Sequence, residues 1–295
     1  MNHGFANSRR ITINGARLAY VEQGSGDPVV LVHGGVSDLR TWDSQGSALG
    51  QHFRVVAYSR RYARPNAEIP EGAADPMQAH VDDLVALIEA RKFGPAHLVG
   101  HSLGGFIALL VAIQRPDLVR SLVLIEPPVL TLFADVPLKP WQVLRLLLSR
   151  PRTAVALLRF GAGVMRPAQK AFRQDDEKAA IEAFGKGVLG KTYFQTLSAA
   201  RYQQVWENRK ADRAQILGQS FAPLKPAEVA AVEIPVLLLC GSDSPKLFHR
   251  LTLRLAELLP KARISRIENA SHILHEDKPS SVNAEIVKFL QGRGR

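Results

Sequence analysis

The sequence of 295 residues contains a single cysteine, Cys240, which excludes an internal disulfide and a cysteine-based metal cluster. No run approaches the roughly 18 uninterrupted apolar residues that a transmembrane helix requires. The first ten residues, MNHGFANSRR, lack the apolar core of a secretory signal. These absences predict a protein that is neither membrane-spanning nor secreted, and the cytoplasm is the simplest location to expect.

Acidic residues are the scarcer charged class, because 27 Asp and Glu stand against 38 Lys and Arg and give a net charge of +11. Between residues 129 and 230, 16 basic and 8 acidic residues account for +8 of that total. A basic face can attract an anionic substrate, nucleic acid or an acidic membrane. The sequence shows no nucleic-acid module, so we predict solvated helix faces and no nucleic-acid partner. Contact of the Leu-rich stretch 140–160 with a membrane surface remains an accompanying alternative.

Short β-branched runs alternate with helical patterns, which predicts an α/β fold with a mostly parallel sheet covered by helices. Residues 10–24 are predicted to form an antiparallel hairpin that turns at Asn14-Gly15. The further predicted strands are 28–35, 53–59, 96–102, 121–128, 234–241 and 262–268, and the clearest predicted helices are 76–91, 103–115, 246–259 and 279–291.

The alternation stops after residue 128, and about a hundred residues with amphipathic helical patterns follow before strand-like sequence resumes. We interpret residues 1–128 and 231–295 as one sheet-containing core and residues 129–230 as a helical cap, or lid. In open α/β sheets, ligands bind in the crevice at the carboxyl ends of the strands. The insertion is therefore predicted to cover the ligand site.

The segment LVGHSLGG, residues 98–105, runs from an apolar strand through a serine flanked by glycines into an apolar helix. Gly-x-Ser-x-Gly at such a corner is typical of a nucleophilic serine, although an ordinary Gly-rich turn also fits the motif taken alone. Other predicted strands end in polar residues too: His33-Gly34-Gly35, Glu126, the segment GSDSP and the segment NASHILHEDKP. Their convergence on one rim of one sheet predicts an active site there.

With these motifs in this order, the sequence resembles the α/β-hydrolase family over nearly its full length. The hairpin, the His-Gly turn, the GHSLGG elbow, a helical cap after the sixth strand and a late histidine carry the resemblance. It implies a doubly wound α/β-hydrolase sheet in which Ser102 is the nucleophile and His272 the general base. The backbone N–H groups of Gly35 and Leu103 would then form the oxyanion hole. The resemblance implies neither a metal nor a cofactor.

The acid of the triad has two candidates. Members of the family usually carry an aspartate three residues after the glycine that ends the penultimate strand, but here that position is Ser244, and Asp243 comes one residue early. The alternative is Glu126 at the end of the preceding strand, a place where some related haloalkane dehalogenases carry their acid. A lone carboxylate after an apolar strand is costly without a partner. We therefore favour Glu126 and keep Asp243 as the alternative.

The residues expected to contact the substrate lie on the same rim of the sheet and in the cap. His33 and Gly34 lie in the His-Gly turn, Arg60 and Tyr62 lie in the loop after strand 53–59, and Trp141 lies in the cap. Arg60 either holds a carboxylate or carbonyl of the substrate or braces its own loop, and the sequence leaves both interpretations open.

A serine nucleophile predicts acyl transfer to water from a small to medium, partly apolar ester, thioester or lactone. The expected partner is thus a small acyl or lactone molecule. An anionic substrate is compatible with this prediction, because a basic cap attracts negative charge. Carbon–carbon bond hydrolases use the same residues and remain an alternative. So does a ligand-binding protein of this fold that has no turnover, although such a protein has no need of an intact serine, histidine and acid.

Overall fold

The computed structural model describes residues 8–135, 139–218 and 221–292. Residues 1–7, on which part of the expectation of no secretory signal rests, lie outside the described residues. Cap boundaries predicted at 129 and 230 both fall within them.

One eight-stranded sheet organises the described part of the chain. Its strands are β1 (Arg9–Ile13), β2 (Ala16–Gln23), β3 (Pro28–Val32), β4 (Arg54–Tyr58), β5 (Ala96–His101), β6 (Val119–Ile125), β7 (Val236–Gly241) and β8 (Ala262–Ile267). Across the sheet they follow the order β1-β2-β4-β3-β5-β6-β7-β8. Strand β2 is antiparallel to both of its neighbours, and every ladder from β4 to β8 is parallel. The predicted mostly parallel α/β sheet is confirmed.

The hairpin of β1 and β2 turns where the sequence predicts it. Asn14 and Gly15 both have positive φ, +47° and +75°, which is the conformation of a type I′ two-residue turn. Ile13 pairs with Ala16 directly across the turn. The hairpin therefore forms one edge of the sheet, and its second strand, β2, runs opposite to both of its neighbours.

Helices cover both faces of the sheet. Their bounds are α1 (Asp43–Leu49), α2 (Met77–Ala90), α3 (Leu103–Gln114), α4 (Pro140–Ser149), α5 (Pro151–Phe160), α6 (Arg166–Arg173), α7 (Glu177–Leu189), α8 (Lys191–Gln195), α9 (Ala199–Glu207), α10 (Arg209–Leu217), α11 (Pro226–Ala230), α12 (Lys246–Leu258), α13 (Leu274–Asp277) and α14 (Pro279–Leu290). Along β3, Val30 and Val32 join one hydrophobic cluster and Val29 and Leu31 join another, as the two-residue period of a strand requires. None of the helices in the described ranges is long and apolar enough to span a bilayer.

Helices α4 to α11 lie between β6 and β7 in the chain, so the helical insertion follows the sixth strand. Several of its helices share a hydrophobic cluster of their own, in which Phe172 and Ile181 are almost fully buried. Its other apolar residues, such as Leu189 and Phe194, join the cluster of the sheet. The insertion therefore packs on the core as well as on itself.

The chain order across the sheet reverses between β3 and β5, because β4 lies on the far side of β3. Such a switch point opens a crevice at the carboxyl ends of the two central strands. His33-Gly34-Gly35 follows β3, and Ser102 follows β5. The topology thus brings the two motifs to one place.

Candidate active site

Ser102 occupies the one-residue turn between β5, which ends at His101, and α3, which begins at Leu103. Its φ of +49° and ψ of −119° are a backbone conformation that residues other than glycine rarely adopt. The Ser102 N–H donates to the carbonyl of Ile125 at 2.8 Å, and the Ser102 carbonyl accepts from the N–H of Phe106 at 3.0 Å. These bonds hold a sharp turn whose serine lines a cavity at the carboxyl end of the sheet.

Glycine is needed beside the serine because backbone segments pass very close to one another. A Cβ atom at Gly104 would overlap the carbonyl oxygen of Val32. A Cβ atom at Gly100 would lie 2.5 Å from the carbonyl oxygen of Gly104, and one at Gly105 would lie 2.9 Å from that of Gly100. The glycines of the motif therefore allow β5, α3 and β3 to meet at the turn.

Glu126 follows β6 and lies against His272, which comes from the loop after β8. Its Oε2 atom accepts a hydrogen bond from Nδ1 of His272 at 2.7 Å, and both side chains are buried. Its Oε1 atom accepts from the backbone N–H of Gly241 at 2.9 Å. Both carboxylate oxygens thus have partners, which offsets the cost of burying this group.

Asp243 lies elsewhere, on the exposed turn after β7. Its Oδ2 atom accepts from the hydroxyl of Tyr193 at 2.6 Å, and its Oδ1 atom accepts from the hydroxyl of Ser242 at 2.7 Å. The hydrogen bond from Tyr193 is the main cause that lowers the pKa of Asp243. Of the two candidate acids, only Glu126 contacts the histidine in this structure.

The second ring nitrogen of His272, Nε2, is available to accept a proton. Because a carboxylate only accepts hydrogen bonds, Nδ1 of His272 is the protonated nitrogen and Nε2 carries a lone pair in the neutral ring. Nε2 is buried and has no hydrogen-bond partner within the described ranges. His272 and Ser102 line the same cavity, and the ring of Phe248 stacks on that of His272 with centroids 4.0 Å apart. An unprotonated imidazole nitrogen that faces the same cavity as a serine can accept its proton once the two atoms come within hydrogen-bond distance.

Gly35 and Leu103, the residues expected to form an oxyanion hole, both line this cavity. Leu103 is the first residue of α3, so its N–H has no acceptor within the helix. The amino terminus of a helix also carries a partial positive charge that favours an anion. The geometry can therefore stabilise negative charge next to Ser102.

A model of the family described as alpha/beta hydrolase fold matches residues 27–279 of this chain. This chain belongs to the α/β-hydrolase family. The match covers most of the chain, and the chain is a hydrolase of that family.

Individual relatives match this α/β-hydrolase over nearly its whole length. The chain is 25% identical over 287 residues to (E)-2-((N-methylformamido)methylene)succinate hydrolase of Acinetobacter baylyi, with 96% of this chain and 98% of the relative covered. The enol-lactonase of Burkholderia xenovorans has a similar structure, with a TM-score of 0.76, 19% identity, and 96% of this chain and 100% of the other covered. A thermophilic esterase of Thermogutta terrifontis gives a TM-score of 0.75 at 21% identity, with 97% and 98% covered. The two structures show that the fold is shared.

The His-Gly turn of this α/β-hydrolase is braced from behind by Arg60. The backbone N–H of Arg60 donates to Nε2 of His33 at 2.9 Å, and Nδ1 of His33 donates to the carbonyl of Gly34 at 2.8 Å. The guanidinium of Arg60 donates to the carbonyls of His33 and Gly34 at 3.1 and 2.9 Å. None of these three residues lines the cavity, so the contacts of Arg60 fit the bracing interpretation, and His33 and Gly34, which were expected to contact the substrate, lie outside the cavity lining.

Two other residues that were expected to contact the substrate also lie outside the cavity lining. Tyr62 lies in the loop after β4 with a φ of +64°, partly exposed and outside the cavity. Trp141 lies on the surface of α4, where the guanidinium of Arg145 sits over its ring at 5.5 Å. An amphipathic pattern does not tell which apolar residues of a cap turn inward, and Trp141 turns outward.

Two further histidines surround His272 and were not predicted to act. Nε2 of His101 donates to the carbonyl of His272 at 3.0 Å, and the His101 and His275 rings lie with centroids 4.4 Å apart. Burial is the main cause that lowers the pKa of both His101 and His275 well below the ordinary value. Both rings are therefore neutral near pH 7, and His101 positions the loop that carries His272.

The cavity lies between the core and the insertion and encloses about 120 Å³. Most of its lining is apolar, and the insertion contributes much of it, including Leu130, Phe160, Met165, Ile181, Phe184, Val188, Leu189, Phe194 and Leu197. The polar residues of the lining are His101, Ser102 and His272 of the core and Arg201, Asp212 and Gln215 of the insertion. In the described ranges, no cluster of three or more His, Cys, Asp or Glu side chains is arranged to hold a metal ion.

Asp212 is a cavity residue that the sequence analysis missed. It lies on α10, its side chain is buried, and its Oδ2 atom has no hydrogen-bond partner among the described residues. Its Oδ1 atom would lie 3.0 Å from a Cβ atom placed at Gly35. Burial raises the pKa of Asp212 to about 7, and the charge of Arg60 opposes that rise. An aspartate within an amphipathic helix resembles any solvated helix residue in sequence, so only the packing of α10 identifies it.

Proposed function

We propose that this protein is a serine hydrolase that forms an acyl-enzyme on Ser102 and cleaves small to medium, partly apolar esters, thioesters or lactones. Ser102 is the nucleophile, His272 the general base and Glu126 the acid that orients it. The observation that carries the proposal is the buried 2.7 Å contact between Nδ1 of His272 and Glu126, which leaves Nε2 open in the cavity that Ser102 also lines.

The reaction follows from these positions. Nε2 of His272 takes the proton of the Ser102 hydroxyl as its oxygen attacks the substrate carbonyl carbon. The backbone N–H groups of Gly35 and Leu103 stabilise the oxyanion of the tetrahedral intermediate. His272 then gives the proton to the leaving alkoxide or thiolate. A water molecule, deprotonated by the same nitrogen, releases the acid from Ser102, and Glu126 stabilises the imidazolium in both halves.

The substrate class is argued from the cavity. Its lining is mostly apolar and its volume is small, which suits a short acyl group or a lactone ring better than a long chain. The similar structures include an enol-lactonase and an esterase, and their chemistry agrees with this proposal. We propose that helices between residues 129 and 230 act as a cap that closes the apolar side of the site.

Hydrolysis of p-nitrophenyl butyrate by the wild type and by Ser102→Ala tests the proposal. We expect turnover only with the wild type, and covalent labelling by a fluorophosphonate that Ser102→Ala abolishes. Circular dichroism of the variant provides the control for folding. Labelling that persists on another serine, or full turnover by Ser102→Ala, would refute the assignment of the nucleophile.

A further inference from the structure

Helix α4 exposes apolar side chains that nothing in the described part of the chain covers. Trp141, Leu144 and Leu148 are 58%, 61% and 80% exposed. Their spacing of three and seven residues places them in one stripe along the solvent side of the helix. Large side chains exposed together in this way mark a contact surface more often than a solvated one.

Helix α5, which packs against α4, presents a second stripe beside a groove. Arg152, Val155 and Arg159 recur at the same spacing and line a groove of about 920 Å³. Lys246 and Arg250 of α12 line its other side, and the groove lining contains no Asp or Glu of the described residues. The groove is therefore basic and partly apolar.

The charge of this region is of one sign. Residues 139–173 contain eight Lys and Arg and no Asp or Glu. Arg150 and Lys139 are neutralised by Glu257 and Asp135. Arg152 and Arg159 are exposed and make no ion pair with any described residue. We call Trp141, Leu144, Leu148, Arg152 and Arg159 the basic-apolar face.

The groove adjoins the catalytic cavity. Phe160 and Leu247 line both of them, one side chain from the insertion and one from α12. A molecule held at the groove is thus separated from the cavity by these two side chains.

We propose that the basic-apolar face docks this protein on an anionic lipid surface. Short amphipathic helices with Trp and Leu beside Arg bind membranes by burying the apolar side chains at the level of the headgroups. Arginines near an anionic surface add an electrostatic attraction that salt screens. Trp141 is well placed for this role because the indole ring favours the membrane interface, and Arg145 lies over it.

A second copy of the chain is a less suitable occupant. In a two-fold symmetric dimer the same patch faces itself, so the unpaired arginines of one face would oppose those of the other. Like charges brought together without acidic partners repel. A free anion would satisfy the arginines but would leave Leu144 and Leu148 exposed. An anionic lipid surface satisfies both features.

Co-sedimentation with vesicles tests the proposal. We compare phosphatidylcholine vesicles with vesicles that also contain phosphatidylglycerol, at low and at high salt. The variants are Leu144→Gln with Leu148→Gln, which removes apolar contact, and Arg152→Glu with Arg159→Glu, which reverses charge. The matched control is Arg263→Glu with Ile264→Gln, an exposed basic and an exposed apolar residue on β8 that belong neither to the face nor to the groove lining. Hydrolysis of p-nitrophenyl butyrate reports that each variant is folded.

We expect the wild type and the control to bind the anionic vesicles, with binding weakened by salt and absent on phosphatidylcholine alone. Both face variants should lose roughly tenfold or more of this binding, the effect of a few basic residues or buried apolar side chains. In the wild type, brominated lipids should quench tryptophan fluorescence, and Trp141→Phe should remove that quenching. Equal binding by the face variants and the wild type, no quenching from Trp141, or no binding by the wild type would overturn the proposal.

Discussion

Ser102 and Glu126 share an unusual backbone, with φ of +49° and +46° at the ends of two neighbouring strands. Such conformations cost roughly 1–3 kcal/mol in residues other than glycine and persist where the surroundings impose them. The carbonyls of Ile125 and Leu239 accept the N–H groups of the two residues at 2.8 and 3.2 Å and hold them in place. The strain therefore falls on the proposed nucleophile and the proposed acid, as it often does at functional sites.

The identity of the acid is tested by a matched pair of isosteric changes. Glu126→Gln should lower the kcat for p-nitrophenyl butyrate by up to about 10⁴, because an amide cannot hold the His272 tautomer or stabilise its imidazolium. Asp243→Asn should leave the kcat within about twofold of wild type, since it affects only surface hydrogen bonds from Tyr193 and Ser242. Loss of activity in Asp243→Asn with activity kept in Glu126→Gln would exchange the two roles.

The raised pKa of Asp212 predicts that the free energy of unfolding depends on pH, and that substitution of Asp212 removes this dependence. Its folded pKa of about 7 lies above the unfolded value near 3.8, so the folded state holds the proton more tightly. Below about pH 4 the carboxyl group is protonated in both states and its burial costs least. As the pH rises from about 4 to 7, the unfolded state loses the proton first, and the free energy of unfolding falls by up to about 4 kcal/mol.

Urea unfolding of the wild type and of Asp212→Asn between pH 4 and 8 measures this effect. We expect the variant to be more stable relative to wild type at pH 8 than at pH 4, since the amide cannot ionise. Activity recorded across the same range shows whether the folded site is unchanged. A difference between the two proteins that does not vary with pH would contradict the buried, proton-binding state of Asp212.

At the scale of elements, the elbow depends on the contact between the first turn of α3 and the end of β3. Gly104→Ala places a methyl group against the carbonyl of Val32, and backbone cannot move aside as a side chain can. We expect a loss of roughly 1–3 kcal/mol or more in the free energy of unfolding. The activity should fall too, because the displaced helix carries the N–H of Leu103.

Gly161→Ala is the matched control for that change. Gly161 has helical angles, φ −59° and ψ −48°, and a Cβ atom there meets nothing within 4 Å. The substitution should stabilise the protein by up to about 1 kcal/mol, since alanine has less backbone freedom in the unfolded chain. If the urea midpoints of Gly104→Ala and Gly161→Ala shift by the same amount, Gly104 does not lie in close contact with Val32.

At the scale of the whole molecule, the site exists only because the core and the insertion meet. The core supplies Ser102, Glu126 and His272, while the insertion supplies most of the apolar lining of a cavity of about 120 Å³. For the proposed reaction, the size of the acyl group that fits is therefore set by how the two parts pack, and not by the proposed catalytic residues.

A series of p-nitrophenyl esters tests this limit. The kcat/KM should be highest for acetate and butyrate and should fall steeply for laurate, which exceeds the enclosed volume. Phe184→Ala removes a ring of the insertion from the cavity lining and should raise the kcat/KM for laurate relative to acetate. Laurate hydrolysed as well as butyrate by the wild type would show that the cavity opens during turnover.

The order of strands and helices was predictable because each element has a clear local signal. Strand β5 and helix α3 were expected at 96–102 and 103–115 and extend over Ala96–His101 and Leu103–Gln114. Their buried Val and Leu residues, and the glycines between them, need no distant partner to be recognised. The buried faces of the helices in the insertion were harder to predict, because an apolar residue such as Trp141 packs inward or outward according to its neighbours.

By itself the sequence determined the sheet, the elbow with Ser102 and the rim on which the polar residues gather, since these depend on local patterns and on the direction of parallel strands. Only the tertiary structure showed which carboxylate meets the histidine: Glu126, after β6, contacts His272, whereas Asp243, after β7, contacts Tyr193. It also turned Arg60 toward the carbonyls of His33 and Gly34 and placed Asp212 in the cavity. Long-range packing sets these side-chain contacts, and no short stretch of sequence encodes them.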